Sequence, residues 1–130
     1  MLTIIADSGP LVAILNSRDA YHAWAARVVS PLPRPWIIST AALIETTHLL
    51  ANHPRAIAEL RSWLDALRHE DPDPVDVLTL MERYAPVMDY ADACAVLLSK
   101  THKGAVVVTT DHDDFATYRV PFISPKGRFY

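Results

Sequence analysis

Two short apolar runs, residues 2–6 and residues 105–110, carry no charge, and each stops at an aspartate, Asp7 and Asp111. Short uncharged runs rich in Ile and Val read as buried strands. Strands buried on both faces belong to a parallel sheet covered by helices on either side. Two further acids stand against apolar sequence: Glu45 follows Ala41, Ala42, Leu43 and Ile44, and Asp92 opens the run over residues 93–98. Carboxylates stay in such surroundings only when something positive compensates them. Four of them at the edges or middles of core elements suggest one shared site for a hard cation, Mg²⁺ or Mn²⁺, and with it chemistry on phosphates.

The pattern along the chain alternates strand and helix. After the strand at residues 2–6, Ser8 supplies a cap and Pro10 fits the first turn of a helix that ends near Asn16. A second helix over residues 21–29 is stopped by Pro31, Pro33 and Pro35. Trp36, Ile37 and Ile38 read as a strand, and Ser39 or Thr40 caps a helix to about Ala51. Pro54 opens a helix expected to reach Arg68, with Ile57, Leu60, Leu64 and Leu67 on one face. Helices follow over residues 75–84 and 90–102, then a strand over residues 106–109 and a last short one around Phe122 and Ile123. The whole reads as one α/β domain over residues 1–130, three-layered around a short central parallel sheet, with ligands expected beyond the carboxyl ends of its strands.

Composition narrows the function. At 130 residues, 51% of them hydrophobic, the chain has enough for one buried core and too little for two. No apolar run approaches the roughly 20 residues of a membrane span, and the N-terminal region lacks the pattern of a secretory signal. Cys94 is the single cysteine, which argues against a disulfide framework and for a reducing cytoplasm. A formal charge of −3 is wrong for a simple basic nucleic-acid binder. It is compatible with a carboxylate site that stays negative until a cation fills it. Lys126 and Arg128 beside Phe129 and Tyr130 form a small cluster suited to RNA contact, or an ordinary solvated tail.

Each acid has a structural alternative. Asp7 could cap the helix after it, although Ser8 offers an oxygen for that purpose. Glu45 could face solvent, although its apolar neighbours speak against this. Asp89 and Asp92 have the spacing of a capping pair, so the roles divide: Asp89 caps and Asp92 points into the site. Asp111, Asp113 and Asp114 lie in a turn-like segment, with Asp111 the better ligand because it leaves the valine strand directly. Asp113 or Asp114 is left to cap the next segment, and His112 is a candidate auxiliary group.

Other chemistries lack their residues. Gly9, Gly104 and Gly127 are the only glycines, too few for a phosphate-binding loop or a dinucleotide fingerprint. A calcium loop beginning at Asp111 would need a bidentate Glu where Phe122 stands. No serine sits in a nucleophile elbow, the six histidines have no zinc-protease spacing, and Gly9 occupies the second position of an aspartyl-phosphatase pair.

The segments Ile4 to Ala13, Ala41 to Glu45, Met88 to Ala93 and Thr109 to Asp111, in this order and spacing, resemble PIN-domain proteins, in particular the VapC-like toxins of bacterial toxin–antitoxin pairs. The resemblance implies an α/β/α fold and Mg²⁺- or Mn²⁺-dependent endonucleolytic cleavage of RNA. Asp7, Glu45 and Asp92 match the three most characteristic acidic positions of the family, and Asp111 the more variable fourth. Asp7 and Asp92 would hold the principal metal, with Glu45 and Asp111 contributing directly or through water. Such toxins commonly form homodimers and are neutralised by a small antitoxin protein. The alternatives are an RNA-processing PIN nuclease without an antitoxin and a catalytically silent binding module.

Overall fold

The computed structural model describes residues 2–130. Six strands form its centre: β1 (Thr3–Ala6), β2 (Trp36–Ile38), β3 (Leu67–His69), β4 (Ala105–Val108), β5 (Phe122–Ser124) and β6 (Gly127–Phe129). They are ordered β3-β2-β1-β4-β5-β6, and every pairing is parallel except the last. The helices are α1 (Ser8–Leu15), α2 (His22–Trp24, continued by a π-helical turn, Ala25–Val29), α3 (Thr40–Leu49), α4 (Pro54–Trp63), α5 (Pro74–Arg83), α6 (Tyr90–Thr101) and α7 (His112–Tyr118).

Alternation along the strands divides the core into two layers. Ile5, Ile37, Val107 and Phe122 face Val77, Leu80, Ala93, Cys94, Phe115 and Tyr118 of α5, α6 and α7. Ile4, Ala6, Ile38, Val106, Val108 and Ile123 face Leu11, Trp24, Ala25 and Ala42 of α1 to α3. A smaller cluster of Val12, Leu15, Leu50, Ala56 and Leu60 packs α4 onto α1. The result is the three-layer α/β/α arrangement, with strands apolar on both faces because both faces are covered.

The chain runs from β1 outward to β2 and β3, then returns to the other side of β1 as β4. The strand order therefore reverses between β1 and β4, where connecting segments diverge and leave a crevice at the carboxyl edge. Register brings Ala6 opposite Val108, so the residues that follow both strands emerge side by side.

Three expectations need correction. The helix from Pro54 ends at Trp63 instead of reaching Arg68; a 3₁₀ turn, Leu64–Ala66, leads into β3, where Leu67 pairs with Trp36. Trp63 packs 5.3 Å from Trp36 with the Arg34 guanidinium 4.3 Å over its ring, which holds the helix end against β2. The segment after Asp111 is the first turn of α7, with Asp113 and Asp114 inside it, and Asp111 occupies the cap position assigned to those residues. The C-terminal segment forms β6, antiparallel to β5, and is no free tail.

Gly9 marks the closest approach between α1 and the loop after β4. A Cβ there would meet Thr110 Oγ1 at 2.1 Å, Cβ at 3.1 Å and Cγ2 at 3.2 Å. Rotating the threonine cannot clear all three atoms. Gly9→Ala is therefore expected to lower stability by about 1–3 kcal/mol in urea unfolding. The double variant Gly9→Ala/Thr110→Ala should recover part of that loss; equal stability of Gly9→Ala and the parent would show that the loop yields freely.

Candidate active site

Asp7 leaves β1 with its amide bonded to the Val108 carbonyl at 3.0 Å. Its carboxylate is almost wholly buried and held from two sides. Oδ1 accepts the Ser8 amide at 2.9 Å, and Oδ2 accepts the Thr109 hydroxyl at 2.7 Å. Asp7 is thus the N-cap of α1, a role the sequence suggested for Ser8. The Ser8 hydroxyl instead donates to Glu45 Oε1, which ties α3 to the start of α1. Glu45 is half-buried, while its neighbours Ile44 and Leu49 are 63% and 52% exposed. Apolar neighbours were therefore the wrong reason for turning Glu45 inward; the Ser8 bond is the right one.

Asp89 caps α6 by accepting the Asp92 amide at 2.8 Å, as its spacing implied. Asp92, buried in the first turn, receives the Tyr118 hydroxyl on Oδ2 at 2.8 Å. Asp111 stands at the end of the loop after β4 with its side chain exposed, and its amide donates to Thr109 Oγ1 at 2.9 Å. Thr109 therefore links the Asp7 carboxylate to the Asp111 backbone.

The charges of these groups reach one another. Burial pushes the Asp7 carboxyl up to about 6, opposed by the Thr109 and Ser8 hydrogen bonds and assisted by the negative charges of Glu45 and Asp89. Burial likewise raises Asp92 to about 7, against the Tyr118 bond and with help from Asp89 and Asp7. Asp111, exposed on its outer side, is pushed up to about 6 by partial burial, with a hydrogen bond from Asp114 and the charges of Asp114 and Asp7 adding to the rise. Among the described residues, no ion pair involves Asp7, Glu45, Asp92 or Asp111. Four carboxylates thus share the switch-point edge without a cation of the chain's own.

A second polar group lies farther along the same carboxyl edge, beyond β2 and β3, where Thr40 gives its amide and hydroxyl to Asp71 at 2.7 Å each. His69 Nε2 touches both the Thr40 hydroxyl and the Asp71 carboxylate. A nucleophile–histidine–acid relay needs the two ring nitrogens to face different partners. Here one nitrogen serves both, so the group is not such a relay.

The PIN-domain family profile matches residues 4–121. The chain belongs to the PIN-domain family. No curated protein matches it. Among solved structures it is similar to VapC20 of Mycobacterium tuberculosis, a toxin that cleaves the sarcin–ricin loop, at 24% identity and a TM-score of 0.73 over 88% of this chain and 95% of that one. It is also similar to PAE2754 from Pyrobaculum aerophilum, at 18% identity and a TM-score of 0.64 over 92% of this chain and 87% of that one. Its fold is VapC-like.

In this PIN domain the donors at the carboxyl edge are oxygens throughout, the preference of a hard divalent cation. Burial without a positive partner leaves charge for such an ion to neutralise, so the residues fit one. No group of three or more His, Cys, Asp or Glu side chains among the described residues is arranged to enclose an ion. Mg²⁺ typically retains several waters and takes one or two carboxylates, a demand that Asp7 and Asp92 can meet.

Ser8, Thr109 and Tyr118 are the side chains of this edge that sequence reasoning missed. Each acts through one hydrogen bond on an acid 37, 102 or 26 positions away. Only Thr109, directly after the valine strand, carried a local signal.

The raised acids make metal-free stability depend on pH. Below about pH 4, Asp7 is protonated in the folded and unfolded chains alike. As pH rises towards 6, the unfolded chain gives up a proton that the folded chain keeps, so folding loses stability. Asp7 alone accounts for on the order of 3 kcal/mol across that window. In EDTA, melting temperature is expected to fall from pH 4.5 to pH 7.5, with a shallower fall in Asp7→Asn. A parent protein whose stability is flat over this range would contradict the burial argument.

Proposed function

We propose that this PIN domain is a Mg²⁺- or Mn²⁺-dependent endoribonuclease, the toxin of a VapBC-type toxin–antitoxin pair. The observation that carries the reading is the buried Asp7 carboxylate at the switch point, within reach of the charges of Glu45 and Asp92 and without a cation of the chain's own beside it. Membership of a nuclease family supports it, and so does the VapC-like fold.

In this reading Asp7 and Asp92 hold the principal metal, while Glu45 and Asp111 contribute directly or through water. When bound, the ion supplies an acidified water and neutralises charge developing on the scissile phosphate. The chain's own groups set the geometry. Ser8 and Thr109 each bond one Asp7 oxygen and fix that carboxylate's plane. The Ser8 hydroxyl orients Glu45, and Tyr118 orients Asp92 through Oδ2, leaving Oδ1 for the site. Asp111 lies exposed at the rim of the same edge. Hydrolysis breaks one phosphorus–oxygen bond of the backbone, with water as the nucleophile.

Exposed apolar side chains support protein partners. An open groove of about 310 Å³ between α3 and α4 is lined by Leu43, Ile44, Ile57, Leu60 and Leu64, a surface suited to an antitoxin segment. Val75 and Leu78 on α5, and Val87 after it, are more than half exposed and offer a face for a second copy. Among the described residues, no helix is long and apolar enough to cross a membrane. Action on cytoplasmic RNA is part of the same proposal.

The test is incubation of total RNA with purified protein and Mg²⁺ or Mn²⁺, beside an EDTA control. Discrete metal-dependent fragments are expected. Asp92→Asn should lower the rate about a hundredfold or more while remaining folded. Asp89→Asn should be far milder, because Asn caps helices about as well as Asp. Undiminished cleavage by Asp92→Asn would return Asp92 to a structural role.

A further inference from the structure

An open cavity of about 450 Å³ runs along α7 against the β5–β6 hairpin, from His112 at the carboxyl edge to Arg119 at the other end of the helix. That volume is typical of ligand pockets. His112, the residue after Asp111, forms its end nearest the acidic edge, and the His112 Nδ1–Ser124 Oγ hydrogen bond of 2.8 Å fastens the hairpin to α7. Phe129 lines the groove with one face stacked on Phe122 at 5.1 Å and remains 42% exposed. Tyr130 beside it is 63% exposed. Exposed aromatic rings at a sheet edge are surfaces to which another flat ring can be added.

The rim is basic. Arg119 lines the groove and ends α7 in the left-handed conformation (φ 59°, ψ 43°), where glycine is the unstrained choice. Neighbours on a strand point to opposite faces. Phe129 therefore faces the groove, while Arg128 lines a hollow of about 280 Å³ on the other side together with Arg27 and Lys126. Arg128 reaches back to the groove by donating to the Tyr130 hydroxyl at 3.4 Å, and Lys126 by pairing with Asp113 of α7. Among the described residues, the only ion pair made by these four cations is Lys126–Asp113 at 3.9 Å, between exposed side chains. A chain of net charge −3 thus keeps unneutralised positive charge around one hairpin.

We propose that the groove between α7 and the β5–β6 hairpin, with the cations on its rim, is a subsite for single-stranded RNA leading to the acidic edge. The proposal rests on the ribonuclease reading and deepens it. Single strands present unstacked base faces for Phe129 and Tyr130 and phosphates for Arg119, Lys126 and Arg128. A duplex keeps its base faces covered, and an acidic protein segment has none to offer. The hairpin strand β6 stands three strand spacings from β1, about 14 Å, a distance that a few nucleotides span.

The test uses the Asp92→Asn protein with Mg²⁺, a fluorescein-labelled mixed-sequence RNA of about ten nucleotides, and anisotropy over a range of KCl concentrations. Tyr130→Ala is expected to weaken binding about tenfold through lost stacking. Arg119→Gly removes a cation and a strained backbone position together. It should weaken binding, lower the salt slope by about 0.7, and leave the melting temperature unchanged or higher. Arg55→Ala, remote on α4, should change neither affinity nor slope. The same sequence as a duplex should bind more weakly and be insensitive to Tyr130→Ala. Unchanged affinity and slope in Arg119→Gly and Tyr130→Ala would overturn the subsite, as would equal competition by poly-glutamate. If wild-type protein cleaves RNA while both variants bind like their parent, the nuclease stands and the hairpin subsite falls. If wild-type protein cleaves nothing but the binding pattern holds, the subsite stands and the nuclease reading falls.

Discussion

The parallel pairing of β1 with β4 fixes where Asp7 and Thr109 emerge, and the hydrogen bond between them joins the two halves of the carboxyl edge. Thr109 is fully buried and has one hydroxyl to share. It donates that proton to Asp7 and accepts the amide of Asp111, so strand pairing, acid orientation and the start of α7 depend on one side chain. Gly9 adds a steric condition to the same junction, because α1 can follow Asp7 only where no side chain meets Thr110. The positions of Glu45 and Asp92 are then set by single bonds from Ser8 and Tyr118 to this frame.

Such an edge opposes folding. Asp7 and Asp92 are both buried, lie within reach of each other's charge, and have hydrogen-bond donors but no cation. The donors offset part of the desolvation and do not cancel it, since both carboxyls remain raised. Neutral replacements of similar shape would fold more readily. A chain that retains the acids keeps an energetic deficit at a defined place, and a bound divalent ion is the simplest agent that removes it. Stability and proposed activity are therefore linked through the same oxygens.

Much of this edge was legible in the sequence because strand-end acids and helix caps leave local marks. Asp7 and Asp111 interrupt apolar runs, and Asp89 with Asp92 has a cap's spacing. What was hidden depends on distant partners or on short elements. Leu64 and Leu67 continue the period of Ile57 and Leu60, so no local pattern announces that the helix stops at Trp63. The stop comes from Trp63 packing on Trp36, and the short strand after it is made by pairing with β2. β6 is exposed throughout and has no strand-like alternation of burial; its partner β5 makes it a strand. Tyr118 gives no sign in the sequence that its hydroxyl meets an acid 26 positions earlier.

The separation of charge across the sheet bears on how an acidic site could act on a polyanion. The carboxylates occupy the β1–β4 switch point, while Arg128 and Lys126 sit at the β6 side and Arg119 at the end of α7. Cations interleaved with the acids would form ion pairs and lower the carboxyl pKa values, leaving less reason for a metal to bind. At about 14 Å from β1, beyond the Debye length of about 8–10 Å, the cations of β6 neither pair with the acids nor screen them, and in the proposed subsite the RNA strand itself bridges the gap. A net charge of −3 need not repel the proposed RNA substrate, because a strand approaching along β6 would meet local charge before it met the average.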